Sequence, residues 1–375
     1  MDQNPDSSIT GFLYLLLIFI VLGDFLTSVV VPSYAYTYIR TSFLKKLLMD
    51  EDQLTKLKNY NTIEEFIEFI KPFYPDLKIN EYTIENIELA LYDFFIKVNG
   101  KIISFSPLNM RNFLKDFLLK YEIMNIKQVI LGFIVNMSRE EIQRNINFLV
   151  EEYLENEDFI KHLIEIPSLE QIQLFMKGTR YYKAIREGLL YFKNYNEIFV
   201  LESFLDQLYY LNLLNRENSY DQNEKKIISL FDSFITEIYN INLIYRGIKN
   251  NIDKKLLSQF LINNYLFFND KKIENLLTIE NLEEFFSYID DTLGRITNLQ
   301  DYKISESDRP IWKLERIYKD YFFRKFKFEM QDIDDITIFR IIELIIRKEY
   351  EIKYEIIPNV VRIVHNKYRV LEKRI

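Results

Sequence analysis

The chain has 375 residues, a formal net charge of −8 and a sequence pI near 5.2; no basic stripe stands out, which argues against a nucleic-acid partner. It contains no cysteine, which removes disulfides, thiolate metal sites and cysteine nucleophiles together. Eight Gly and eight Pro leave few punctuation points, so the composition favours an all-α protein of long helices with short connections.

Residues 1–10 are polar, and Gly11 to Val31 is then apolar apart from Asp24 and a few small polar residues. As a helix that segment spans about 31 Å, roughly the hydrocarbon thickness of a bilayer, and Pro32 ends it. Its leading flank carries Asp2 and Asp6 and no Lys or Arg, unlike a secretory signal peptide. Arg40, Lys45 and Lys46 follow it, so the positive-inside rule keeps the rest of the chain on the cytoplasmic side of the cell membrane. We read Gly11–Val31 as a membrane helix; Asp24 is costly there unless protonated, paired or turned away from lipid, which is a reason to expect a protein neighbour.

Tyr38-Ile39-Arg40 leads into Leu44, Leu47 and Leu48, and Thr62 starts a helix through Phe66, Ile67 and Ile70. Ile87-Glu88 opens the next helix. Asn99-Gly100 between Phe95-Ile96 and Ile102-Ile103 reads as a tight turn, a candidate short hairpin. Beyond it the chain repeats itself. Glu122 and Asn125, Glu237 and Asn240, and Glu355 and Asn359 open similar apolar stripes; the third copy has one extra residue and Pro358. The Asn positions step by 115 (125 to 240) and 119 (240 to 359) residues.

Two further motifs follow the same cycle. Thr62, Ser168 and Thr278 are candidate helix caps, with Glu64, Glu170 and Glu280 in the first turn, and Glu65 and Gln171 completing capping boxes in the first two. Glu88, Glu202 and Glu315 each open an amphipathic stripe. The order predicts a triplicated module: residues 34–120, 121–235 and 236–345, with a closing helix over 346–375. Asn is a weak helix former. Its recurrence beside Glu at i,i+3 predicts a polar clasp to neighbouring helix ends.

Catalytic and metal readings are weak. His162 and His365 have no paired ligand spacing. Asp290-Asp291 lacks the third carboxylate of an acidic metal box, and Asp332 to Asp335 fits a helix start. No phosphate-binding glycine loop is present, and neither a cofactor nor a metal is expected.

The Glu-x-x-Asn helices, Tyr34-x-x-x-Tyr38-Ile39-Arg40, Gly178-Thr179-Arg180-Tyr181, and Leu201-Glu202 with Leu205-Asp206 and Tyr209-Tyr210 together resemble the central-stalk C subunits of archaeal-type rotary ATPases, relatives of the V-ATPase d subunit. The likeness covers about residues 34–375. It implies three homologous helical bundles in a pseudo-threefold funnel, one copy per complex, that joins the central-shaft subunits to the membrane proteolipid ring. Such a protein transmits torque between ATP turnover and ion transport, with proton the expected ion, and has no active site. In that setting the recurring Asn residues would either clasp modules together or line the funnel and meet the shaft. Residues 1–33 lie outside the likeness; Gly11–Val31 would enter the lipid bilayer, and we expect it to plug the ring's central hole. Two readings outside this family stay open: a membrane-anchored helical scaffold, and a Mg-dependent prenyl-type helical enzyme.

Overall fold

The computed structural model describes residues 33–216, 220, 222–297, 303–326 and 333–372. The polar N-terminus 1–10, the expected membrane helix Gly11–Val31 and Asp332 lie outside the described residues. Within them every regular element is helical, and there is no strand.

In chain order the helices are α1 (33–44), α2 (Glu51–Lys56), α3 (Ile63–Ile70), α4 (Ile84–Phe105), α5 (Leu108–Ile134) and α6 (Arg139–Arg144). Next come α7 (Phe148–Leu154), α8 (Glu157–Glu165), α9 (Leu169–Phe175), α10 (Tyr182–Tyr195), α11 (Ile198–Arg216) and α12 (Gln222–Lys249). The chain finishes with α13 (Lys254–Ser258), α14 (Asp270–Thr278), α15 (Leu282–Thr297), α16 (Pro310–Phe326), α17 (Ile333–Tyr350), a π-helical turn (Glu351–Ile356) and α18 (Ile357–Glu372).

Long helices occur as the consecutive pairs α4 and α5, α11 and α12, and α16 and α17, with runs of short helices between pairs. α12 is long and apolar enough to cross a membrane, yet most of it is buried within the protein. It packs against α11, α13, α15, α16 and α17, which makes it the central core helix. At the other end of the chain, α17 and α18 pack on α4, and α18 also meets α3, so the C-terminal helices close onto the N-terminal ones.

The apolar stripes behave as their spacing requires. Ile241, Ile244 and Leu205 are buried, while Phe204, Leu208, Tyr245 and Ile248 are partly buried and packed against the core. Leu205 is 0% exposed, so Leu205→Ala should cost about 2–5 kcal/mol, read as a lower urea midpoint at unchanged m-value.

Several local expectations need correcting. Asn99-Gly100 makes no hairpin; both residues are buried inside α4. Asn99 Nδ2 donates to Phe95 O in the preceding turn at 2.8 Å, and a Cβ on Gly100 would lie 2.0 Å from the Tyr153 ring of α7. The glycine serves close packing between helices, not a turn. Ser168 caps α9 through Gln171 N, but Thr62 makes no side-chain cap. Thr278 bonds back to Asn275 O, and the cap of α15 is Asn281, which accepts from Glu284 N at 2.8 Å. Full capping boxes occur instead at Asp50 with Gln53 and Ser138 with Glu141. Finally, α5, α12 and α17 run unbroken through residues 120–121, 235–236 and 345–346, so a division at those points cuts three long helices.

Candidate functional site

The recurring Glu and Asn residues on α5 and α12 build the same local structure. Asn125 Nδ2 donates to Asn147 O at 3.0 Å, and Asn147 N donates back to Asn125 Oδ1 at 3.0 Å. Asn240 does the same with Ile262, at 2.8 and 2.9 Å. An amide can satisfy one backbone donor and one acceptor together, and that use outweighs its weak helix propensity. The likeness extends along both blocks. Gly132 and Gly247 leave room for Ile142 and Leu257, whose side chains a Cβ would meet at 2.5 and 2.2 Å. Met137 N and Ile252 N bond Gly132 O and Gly247 O, with Asn136 and Asn251 at positive φ between, a Schellman-type stop. Ser138 and Asp253 then cap the next helix. Each of these pairs is 115 residues apart.

The glutamates of the two blocks are buried and hold a later segment. Glu237 accepts from the backbone N–H of Leu266, Phe267 and Phe268 at 2.7–2.9 Å and from the Tyr318 hydroxyl. Burial pushes its carboxyl upward, and the Tyr318 hydroxyl and those three amides pull against it. Glu122 accepts from Asn156 Nδ2 at 2.7 Å and from the Tyr181 hydroxyl. Where Leu266 presents its amide to Glu237, the corresponding residue of the first block is Glu151, fully buried and bonded through Oε1 to Asn125 Nδ2 at 2.9 Å.

Burial and the neighbouring Glu122 charge raise the Glu151 carboxyl to about 8. It therefore carries a proton at neutral pH, which avoids a second buried negative charge beside Glu122. Because the folded value lies above the unfolded one, stability is lost as pH rises from about 4.5 to about 8. Glu151→Gln keeps a donor and cannot ionise. It should flatten that part of the stability–pH curve, with a gain on the order of 3 kcal/mol at pH 8.5 and little change at pH 4.5. Parallel wild-type and variant curves in chemical unfolding across that range would contradict the assignment.

The third clasp is centred on Glu351, not on Glu355. Glu351 accepts from Tyr74 Oη at 2.7 Å, from Met49 N at 3.1 Å and from Lys348 Nζ at 2.7 Å. Glu122, Glu237 and Glu351 step by 115 (122 to 237) and 114 (237 to 351) residues. Glu355 is half-buried, and its carboxyl is raised by burial. Among the described residues Asn359 clasps no distant backbone; it donates to Glu355 O and accepts from Arg362. Arg362 makes the outward reach, donating to Tyr60 O at 2.8 Å. The π turn over Glu351–Ile356 shifts the register between the glutamate and the rest of the helix, as an inserted residue does. The signal is nevertheless present in the sequence, since Glu351-Ile352 repeats Glu122-Ile123 and Glu237-Ile238.

Glu202 pairs with Arg246 of α12 at 2.8 Å, and Glu315 with Lys353 of the π turn at 3.0 Å. Glu88 is exposed and has no ion pair among the described residues. Arg246, Glu315 and Lys353 also line a partly open cavity of about 270 Å³ bounded by α5, α11, α12, α16, α17 and the π turn. The pairs Lys120–Glu349 and Lys127–Asp206 tie α5 to α17 and to α11 beside it. Tyr210 and Tyr239 pack at 4.3 Å between centroids on its wall. Burial pushes the Lys319 ammonium down to about 8 where it sits 3.7 Å from the Tyr350 ring centre.

The other candidates have structural uses. Asp290 accepts from Ser305 N at 2.9 Å and from Ser305 Oγ at 2.6 Å, pinning a turn. Glu170 and Glu280 pair with Lys193 and Lys254. His162 and His365 are exposed.

The chain is 25% identical to the A-type ATP synthase C subunit of Methanocaldococcus jannaschii over 333 residues, covering 85% of this chain and 80% of that protein. It is 24% identical to the same-named protein of Methanosphaera stadtmanae, covering 85% and 82%, and 22% identical to that of Thermococcus kodakarensis, covering 85% and 84%. The family description "ATP synthase (C/AC39) subunit" matches residues 40–354. An all-helical chain with a twice-built clasp block, matched over most of its length, belongs to the ATP synthase C/AC39 subunit family.

Proposed function

We propose that this chain is the non-catalytic rotor subunit of an A/V-type ATP synthase, joining the central shaft to the membrane proteolipid ring. Its three units form a funnel: α5–α11, α12–α16, and α17–α18 closed by α1–α4. The observation that carries this reading is the repeated glutamate clasp, which fixes a long helix of each unit around one shared cavity. Long helices held by buried polar bonds resist shear, which is what torque transmission between ATP turnover and proton transport requires.

The body sits on the cytoplasmic face, one copy per complex, and Gly11–Val31 enters the ring's central hole as an axial anchor. Affinity capture of the full-length chain in mild detergent should recover both the shaft proteins and the proteolipid. Removing residues 1–31 should leave a soluble, shaft-binding protein with a weaker hold on the ring. Capture of neither partner would sink the rotor reading. Unchanged ring retention by the truncated chain would sink the anchor alone.

A further inference from the structure

Helix α1 is amphipathic in the opposite sense to the rest of the protein. Its inward face is hydroxylic. Tyr34, Thr37 and Thr41 are buried, with Thr37 Oγ1 donating to Phe105 O at 2.9 Å and Tyr34 Oη to Glu224 Oε1 at 2.6 Å. Its outward face carries Tyr36, Ile39 and Phe43, which are 53%, 53% and 61% exposed. These positions fall within about 60° on the helix circumference, so they form one continuous stripe. A soluble surface helix would be turned the other way round.

Two cations share the outward side. Arg40 lies 5.9 Å from the Tyr36 ring centre, and Lys46 lies 5.7 Å from that of Phe43; both are exposed. No acidic residue occurs between Ser33 and Leu48. Tyrosine and phenylalanine beside long basic side chains suit the boundary between lipid headgroups and acyl chains, where rings lie at the interface and cations reach phosphate. The sequence also places this helix directly after the 21 apolar-rich residues Gly11–Val31, with only Pro32 between.

We propose that α1 lies in the headgroup region of an anionic membrane, with Tyr36, Ile39 and Phe43 entering the lipid and Arg40 and Lys46 meeting phosphate. The inference rests on the membrane reading of Gly11–Val31, and it requires lipid rather than ring protein beside the point where that segment leaves the bilayer. It makes α1 an interfacial strut between that segment and the body, fixed on its inner face by Tyr34, Thr37 and Thr41.

The absence of cysteine permits a clean test. Ile39→Cys, Phe43→Cys and, as a control on α10, the 57% exposed Leu190→Cys each receive one nitroxide in the full-length chain. The protein is reconstituted in vesicles of equal phosphatidylcholine and phosphatidylglycerol. The oxygen-to-nickel-chelate accessibility ratio should be several-fold higher at positions 39 and 43 than at 190. A ratio equal to the control places the stripe in water and overturns the proposal. Shielding from both reagents means that protein covers the stripe, a second copy or the chain's own N-terminus, and overturns it too. A carbonate wash separates the two levels. A chain stripped from the vesicles removes the membrane reading and this proposal with it; a retained chain with aqueous labels removes the proposal alone.

Discussion

Glu237→Ala should lower the stability of the protein by about 4 kcal/mol or more, close to the whole margin of a typical domain. The side chain is buried and satisfies the backbone N–H groups of Leu266, Phe267 and Phe268 together with the Tyr318 hydroxyl. Alanine leaves all four donors without that acceptor, three of them on buried residues, and each orphaned buried group costs about 1–3 kcal/mol. Tyr318→Phe removes only one donor to a carboxylate and should cost about 1.5–3 kcal/mol. Glu237→Gln should fall between the two, because its amide nitrogen turns a donor toward donors. Urea unfolding followed by far-UV circular dichroism ranks the three variants. An alanine variant within about 1 kcal/mol of wild type would mean that residues 266–268 are held by something other than this clasp.

The all-helical class is legible in the sequence because scarce Gly and Pro leave no room for frequent turns, and the first two clasps because their Glu-x-x-Asn spacing survives in an unbroken α-helix. The third is obscured for a physical reason. Asn359 draws the register to Glu355, while the π turn moves the working carboxylate four residues earlier, to Glu351. Asn99-Gly100 carries a turn signature that packing overrides: Tyr153 occupies the space that the glycine leaves. Local chemistry does not reveal Glu151 either. Its raised carboxyl follows from burial and from the Glu122 charge brought near it by a tertiary contact. Nor does periodicity alone orient α1, since both of its faces contain tyrosine, and only the bonds of Thr37 and Tyr34 show which one points inward.

Lys348→Met should be the most damaging single change at the seam where the chain closes on itself, costing about 3–5 kcal/mol. The Lys348 ammonium is almost wholly buried and donates to Leu47 O at 2.6 Å, Phe73 O at 3.2 Å and Glu351 Oε1 at 2.7 Å, while lying 3.5 Å from the centre of the Tyr74 ring. Burial pushes its pKa down to about 8 and Glu351 pulls it back. Methionine fills similar volume, so packing is largely kept; what is lost is the partner of a buried carboxylate and of two buried carbonyls. Glu351 would then keep only Met49 N and Tyr74 Oη. These contacts fasten residues 47–74 to α17 and the π turn, and α1 is continuous with that segment. In the rotor reading, force from the N-terminal membrane segment enters the body through α1 and is shared between this seam and the bonds of Tyr34 and Thr37. The variant should therefore release the N-terminal segment before the rest unfolds, giving early proteolytic cleavage around residues 45–80 while α5 to α16 stay protected. Cleavage spread evenly along the chain, or a stability loss under about 1 kcal/mol, would show that the seam is held by apolar packing of α18 on α3 and α4 instead.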